Sequence, residues 1–200
     1  MQHGMLSRDE LAAQVSDGSI DTVIVAFTDM YGRLIGKRYD AGFFLEAADH
    51  GMHFCDYLLA SDMEMDPTPG YQFTSWAQGY GDALAAADWD TLRRAAWLEK
   101  SALVLCDTYD RLHQGMLEIA PRTILRRQVE RAQAAGFLPM MASELEFFAF
   151  QETYQSAHDK HYDGLQTFGN YIEDYHLPDR QAGRTHRRGS PAFERVRRAG

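Results

Sequence analysis

At 200 residues, 45% hydrophobic and 12% aromatic, the chain can bury the core of one large domain or two small ones, which excludes a wholly disordered polymer. Its net charge of −9 is uneven: residues 177–200 hold seven of the 20 Lys+Arg and two of the 29 Asp+Glu, leaving 13 against 27, or −14, on residues 1–176. So acidic a body argues against nucleic acid as the main partner, and the lack of an apolar run of about 18 residues argues against a membrane span.

In chain order, Ser7 caps a predicted helix over 8–17, which Gly18 ends. Residues 22–28 are apolar and β-branched and read as a strand; Asp29-Met30-Tyr31-Gly32 turns the chain back into a second strand over 34–39, a hairpin. Residues 41–50 read as a short helix with Phe44, Leu45 and Ala48 facing inward. Short strands follow at 53–59 and 63–65, then a loop over 67–81 rich in Pro, Gly and aromatics, then strands at 96–98 and 102–106. The pattern predicts an α+β domain over residues 1–112. Cys55 and Cys106 form no CxxC pair and read as inert core residues, and the first twenty residues are too polar for a secretory signal. Both features place the protein in the cytoplasm.

A different texture follows. Pro121 suits the first turn of a helix, Ile124, Leu125, Val129, Ala132 and Ala135 keep a 3.6-residue period, and Gly136 closes it. Residues 140–150 then read as a strand with two carboxylates, Glu144 and Glu146, on one face about 6.6 Å apart. Ala142, Phe148 and Phe150 share that face, and Ser143, Leu145, Phe147 and Ala149 make the other, so both faces look buried. Two like charges there repel, and a hard divalent cation, Mg²⁺ or Mn²⁺, would relieve the conflict. The alternative is a strand that surfaces here with hydrated glutamates. Residues 154–175 read as a further strand or loop. One helix and one or two strands cannot bury a sheet, so the second domain, 113–176, is expected to be incomplete.

Residues 177–200 have few apolar side chains and no period, which predicts disorder. That tail is either a basic arm for nucleic acid or membrane, or an out-of-frame or foreign end. Smaller signals read plainly. His158 and His161 at i and i+3 lack a third ligand nearby, and His50 and His53 flank Gly51 at a helix end. Gly79-x-Gly81 lacks the strand and helix that flank a nucleotide loop.

Three stretches carry a resemblance. Val25-Ala26-Phe27-Thr28-Asp29-Met30-Tyr31-Gly32-Arg33-Leu34-Ile35-Gly36-Lys37 resembles the first hairpin of the glutamine synthetase N-terminal β-grasp domain. Ser61-Asp62-Met63 is similar to a Ser-Asp-Met segment of that family. Pro121-Arg122-Thr123-Ile124-Leu125, Gly136-Phe137 and Glu144-Leu145-Glu146-Phe147-Phe148 resemble the start of its catalytic domain. Asp62-Met63-Glu64-Met65-Asp66-Pro67 and Gly79-Tyr80-Gly81-Asp82 resemble the bacterial branch that includes γ-glutamyl-amine and polyamine ligases.

The resemblance implies an ATP-dependent ligase of nitrogen metabolism. Glutamate's γ-carboxylate is phosphorylated by ATP, and ammonia or an amine attacks the γ-glutamyl phosphate. Two or more Mg²⁺ or Mn²⁺ ions neutralise phosphate charge, and Glu144 and Glu146 match the first two metal carboxylates, one for each of two neighbouring cations. It also implies a homo-oligomer in which the β-grasp domain of one subunit closes the site of the next. The family's Asp-Gly-Ser-Ser loop for ammonium is missing, which leaves room for a bulkier amine; Asp56 is the nearest aspartate. Asp62 is carried as a second substrate-side candidate, its alternative being a turn cap. The family's other metal ligands, ATP contacts and glutamate-binding arginines fall beyond the resemblance, so no catalytic residue is assigned and the chain is expected to be inactive alone. The competing reading is a non-catalytic assembly or binding module built on the β-grasp domain.

Overall fold

The apolar run Thr22–Thr28 forms strand β1, paired antiparallel with β2 (Leu34–Asp40) from Thr22↔Asp40 to Thr28↔Leu34. The sheet built on this hairpin lies in the first of two compact units, Met1–Pro139 and Met140–Gly200. The computed structural model describes residues 4–111, 115–144 and 146–169.

Helix α1 (Arg8–Ser16) begins at Ser7, whose hydroxyl and the Glu10 side chain cap each other's amides. Helix α2 (Ala41–Ala47) begins at Asp40, whose carboxylate accepts from the Phe43 amide, and it runs into a 3-10 turn at Ala48–His50. Four strands complete the sheet: β3 (Met52–Cys55), β4 (Asp82–Ala87), β5 (Arg93–Arg94) and β6 (Ser101–Tyr109). Their order is β2-β1-β6-β4-β3, with β5 also paired to β6. Strands β1 and β6 run parallel and the other pairs antiparallel. The long central β6 buries Ala102, Leu103, Val104, Cys106 and Thr108, as a strand covered on both faces must.

Twist brings the ends of this sheet together. The Phe27 and Phe54 rings, on β1 and β3, lie 4.3 Å apart, and Lys37 Nζ on β2 donates to the His53 carbonyl on β3 at 2.8 Å. Inside the curl, Phe44, Leu11, Ile20, Leu59, Leu92, Val23, Val104 and Cys106 are fully buried. Burial pushes the Cys106 thiol up to about 12, so it stays neutral and inert. Phe44 packs against Trp89, and the Arg8 guanidinium, paired with both oxygens of Asp49, sits 4.7 Å above Trp89.

Several local expectations give way to tertiary pairing. Residues 56–59 form a 3-10 turn, not strand. Residues 63–65 are a turn closed by the Asp62 amide on the Asp66 carbonyl and the Met65 amide on the Asp62 carbonyl. Residues 96–98 are also a turn, with the Leu98 amide donating to Ala95. Conversely, the alanine-rich β4 is a strand because β3 and β6 flank it and satisfy its backbone.

Helix α3 (Pro121–Ala134) starts with proline in its first turn, as its sequence predicts. Arg122 bridges Asp88 and Asp107, and Arg126 also pairs with Asp107. These half-buried pairs tie α3 to β6 and to the residue after β4. Residues 121–134 thus lie in the first compact unit. Along α3, Thr123 is buried while Ile124 and Leu125 are 43% and 54% exposed. The hydroxyls of Thr123 and of Thr108 are buried without a hydrogen-bond partner. Replacing either threonine with valine is therefore expected to raise the urea midpoint, by about 1 kcal/mol of stability each. A drop in midpoint for both variants would show that the hydroxyls have partners.

In the second unit, residues 141–144 and 146–149 form no strand. Chain pairing starts only at Phe150↔Thr167, flanked by the Gln151 amide on the Gln166 carbonyl and the Phe168 amide on the Ala149 carbonyl. Between these, helix α4 (Tyr154–Asp159) is capped by a reciprocal Thr153–Ser156 box. The expected buried strand at 140–150 is thus corrected: among the described residues, 141–144 and 146–148 have no ladder partner to take their amides and carbonyls, and they are exposed. Leu145 and the basic tail lie outside the described residues. Among the described residues no helix is long and apolar enough to cross a membrane.

Candidate functional site

Glu144 and Glu146 lie on this exposed segment. The repulsion argument from burial therefore does not apply to them as placed. Their chemistry still suits a hard divalent cation: both are open carboxylates, and among the described residues neither takes part in an ion pair. Two carboxylates are part of a coordination sphere, and among the described residues no three His, Cys, Asp or Glu side chains gather. Glu144 and Glu146 would each hold one of two neighbouring ions, whose chemistry would be neutralisation of phosphate charge.

The substrate-side candidates are placed in the first unit, and each is engaged. Asp62 Oδ1 accepts from the amides of Glu64 and Asp66 at 2.8 and 3.0 Å, the geometry of a turn cap. This turn is clasped by the tip of the β1–β2 hairpin. Arg33 donates to the carbonyls of Asp62 and Met63 while its Nε pairs with Asp29 Oδ2 at 2.6 Å. Asp29 is 4% exposed and also accepts from the amides of Tyr31 and Arg33. Burial pushes its carboxyl up, but Arg33 and the two amides outweigh that and hold it below its ordinary value.

Asp56 opens the 3-10 turn after β3. Its Oδ1 accepts from the Thr74 hydroxyl at 2.6 Å and its Oδ2 from the Gly81 amide at 3.1 Å. Both candidates thus organise loops, Asp56 at Thr74 and Gly81 and Asp62 at Glu64 and Asp66.

Glu152 went unnoticed in the sequence and is the hub of the second unit. Its carboxylate accepts from Lys160 Nζ (2.6 Å), the Ser156 hydroxyl (2.7 Å) and the Gln166 amide (3.1 Å). Lys160 first, then Ser156 and Gln166, hold it down to about 2 from an ordinary 4.5. The sign follows: its contribution is full above pH 4.5 and is lost as pH falls through about 2. The Gln166 amide shift is expected to titrate near pH 2 and to stop titrating in Glu152→Gln; a midpoint near 4.5 refutes this. A lone Glu before a Thr-x-x-Ser cap was the available signal. His158 Nδ1 lies 3.6 Å from Asp159 Oδ1 at the end of α4, and His161 follows at φ 51°, outside the helix.

Comparison with known proteins adds a family match. Residues 118–197 match the glutamine synthetase catalytic domain, a stretch that runs on into the arginine-rich segment. The chain is 46% identical over 171 residues, 85% of its length, to γ-glutamylethanolamide synthetase GlnA4 of Streptomyces coelicolor. It is 34% identical over 139 residues, 69% of its length, to glutamate–isopropylamine ligase of Pseudomonas sp.. Type-1 glutamine synthetase 2 of Dictyostelium discoideum is 26% identical over 173 residues, 86% of this chain. The matched stretches span 37%, 30% and 33% of these relatives.

Proposed function

The chain belongs to the glutamine synthetase family, on the branch of the γ-glutamyl-amine ligases, and from that premise we propose that it is the N-terminal part of an ATP-dependent ligase that joins glutamate's γ-carboxylate to an amine. Family members use ATP and divalent metal ions, are oligomeric, and act on small molecules. The observation that carries the reading is the 46% identity to an ethanolamide-forming enzyme across both units. The second relative takes isopropylamine by name, which favours a small primary alkylamine over ammonia. The topology β2-β1-β6-β4-β3, with β1 parallel to β6, supports a β-grasp-like first domain.

In this proposal ATP converts the γ-carboxylate to a γ-glutamyl phosphate. The amine nitrogen attacks its carbonyl carbon, and phosphate leaves as the C–N bond forms. This chain contributes the curled sheet with its Arg33-clasped Asp62 turn and Asp56-pinned loop, and the metal carboxylates Glu144 and Glu146. The remaining ligands and the ATP and glutamate contacts come from sequence outside these residues.

The test is a chimera in which residues 4–176 replace the matched stretch of the Streptomyces coelicolor enzyme. ATP-dependent γ-glutamyl-amide formation is expected to survive; a folded chimera without it overturns the reading. The 200-residue chain with ATP, Mg²⁺, glutamate and isopropylamine is expected to give no turnover. The second reading, a non-catalytic module, is favoured by the exposure of Glu144 and Glu146. Mn²⁺ titration of the chain separates the two: binding lost in Glu144→Ala supports the ligase reading, and no binding supports the module.

A further inference from the structure

The aromatic loop over 67–81 is pinched at its base. The Asp56 amide donates to the Gly81 carbonyl at 3.0 Å, and the Gly81 amide donates back to Asp56 Oδ2 at 3.1 Å. A Cβ at position 81 would lie 3.3 Å from that oxygen, so glycine permits the close approach. The pinch sets the flanking residues Tyr57 and Tyr80 edge to face with centroids 5.8 Å apart. Trp76 meets Tyr80 edge to face at 5.2 Å. Three rings therefore form a file, yet Trp76 at its end is 84% exposed. Among the described residues the arginine-over-ring pairs are Arg8 on Trp89 and Arg33 on Tyr31, which leave this file without a guanidinium.

We propose that the Tyr57–Tyr80–Trp76 file is a specificity surface for the amine substrate, taking primary ammonium ions that carry a short alkyl group over ammonium itself. This rests on the ligase reading. Ring faces attract a cation through their quadrupole, and Trp does so best. An alkyl group adds apolar area that the rings cover, which ammonium lacks. The Asp56 carboxylate at the base of the loop and the −14 charge of residues 1–176 favour a cation and disfavour phosphate or a carboxylate. The ring file is held by the loop's own hydrogen bonds, so its spacing exists before any ligand arrives.

Isopropylammonium chloride titrated into the ¹⁵N-labelled chain reads this directly, with ammonium chloride and isopropanol as controls at matched ionic strength. The expected result is a saturable shift of the Trp76 indole N–H, with isopropylammonium at least tenfold tighter than ammonium. Trp76→Ala is expected to abolish the saturable shift at the Tyr80 amide, and Trp76→Phe to weaken it. A non-saturating response, or equal responses to ammonium or isopropanol, overturns the proposal. In the chimeric ligase, Trp76→Ala is expected to raise the KM for isopropylamine about tenfold more than that for ammonia. Equal changes for both amines assign Trp76 to loop packing and overturn the assignment. A chimera without ligation defeats the ligase reading, while the titration still decides whether the rings select alkylammonium ions.

Discussion

Gly36→Ala is expected to lower the stability of the first unit by about 3 kcal/mol, read as a shifted urea midpoint by circular dichroism. Gly36 lies opposite Ala26 in the β1–β2 ladder. A Cβ there would fall 1.9 Å from the Val25 carbonyl oxygen and 2.9 Å from the Ala26 Cα. All of these are backbone atoms, so no side chain can swing aside, and the only relief is to part the two strands. Parting them breaks ladder bonds and disturbs the β1 face that carries Val23, Val25 and Phe27 into the core. It would also pull Arg33 from the Asp62 turn, because the hairpin tip carries it. An unchanged midpoint in Gly36→Ala would show that β2 runs farther from β1 than the structure places it.

Glu144→Ala in the chimeric ligase is expected to lower kcat/KM by about 100-fold, or about 2.7 kcal/mol of transition-state stabilisation. Residues that merely orient a metal ligand already cost about 10- to 100-fold when removed. A direct carboxylate ligand should cost no less. Glu146→Ala is expected to do the same, and the double variant to lose less than the product of the two, since neighbouring ions that neutralise one phosphate act together. Both residues are exposed in this chain, and circular dichroism of each variant chimera separates a loss of activity from a loss of fold. Activity within threefold of the parent in both single variants would remove them from the metal site.

How much was legible in advance depends on how local each signal is. The hairpin at 22–40, the Ser7 cap, α2 and the proline-started α3 were readable because a turn, a cap or a period of 3.6 is written within a dozen residues. Strand β4 was not, since Asp-Ala-Leu-Ala-Ala-Ala has no strand preference and is extended only because β3 and β6 flank it. Asp56 and Asp62 could be singled out as carboxylates, but their tie to Thr74 and Gly81 and their cap on Glu64 and Asp66 needed coordinates. The period along α3 was correct, while the exposure of Ile124 and Leu125 was invisible, because periodicity names a face without naming its cover.

What the sequence determined by itself is the family, which resides in residue types at short spacing such as Pro121-Arg122-Thr123 and Glu144-x-Glu146. Tertiary structure decided whether those carboxylates sit in a sheet: a strand exists only where a neighbour takes its backbone hydrogen bonds, and among the described residues, 141–144 and 146–148 have no such neighbour. It also decided that Tyr57, Tyr80 and Trp76 meet. Residues 23 positions apart become neighbours through the Asp56–Gly81 pinch, a closure no local pattern encodes.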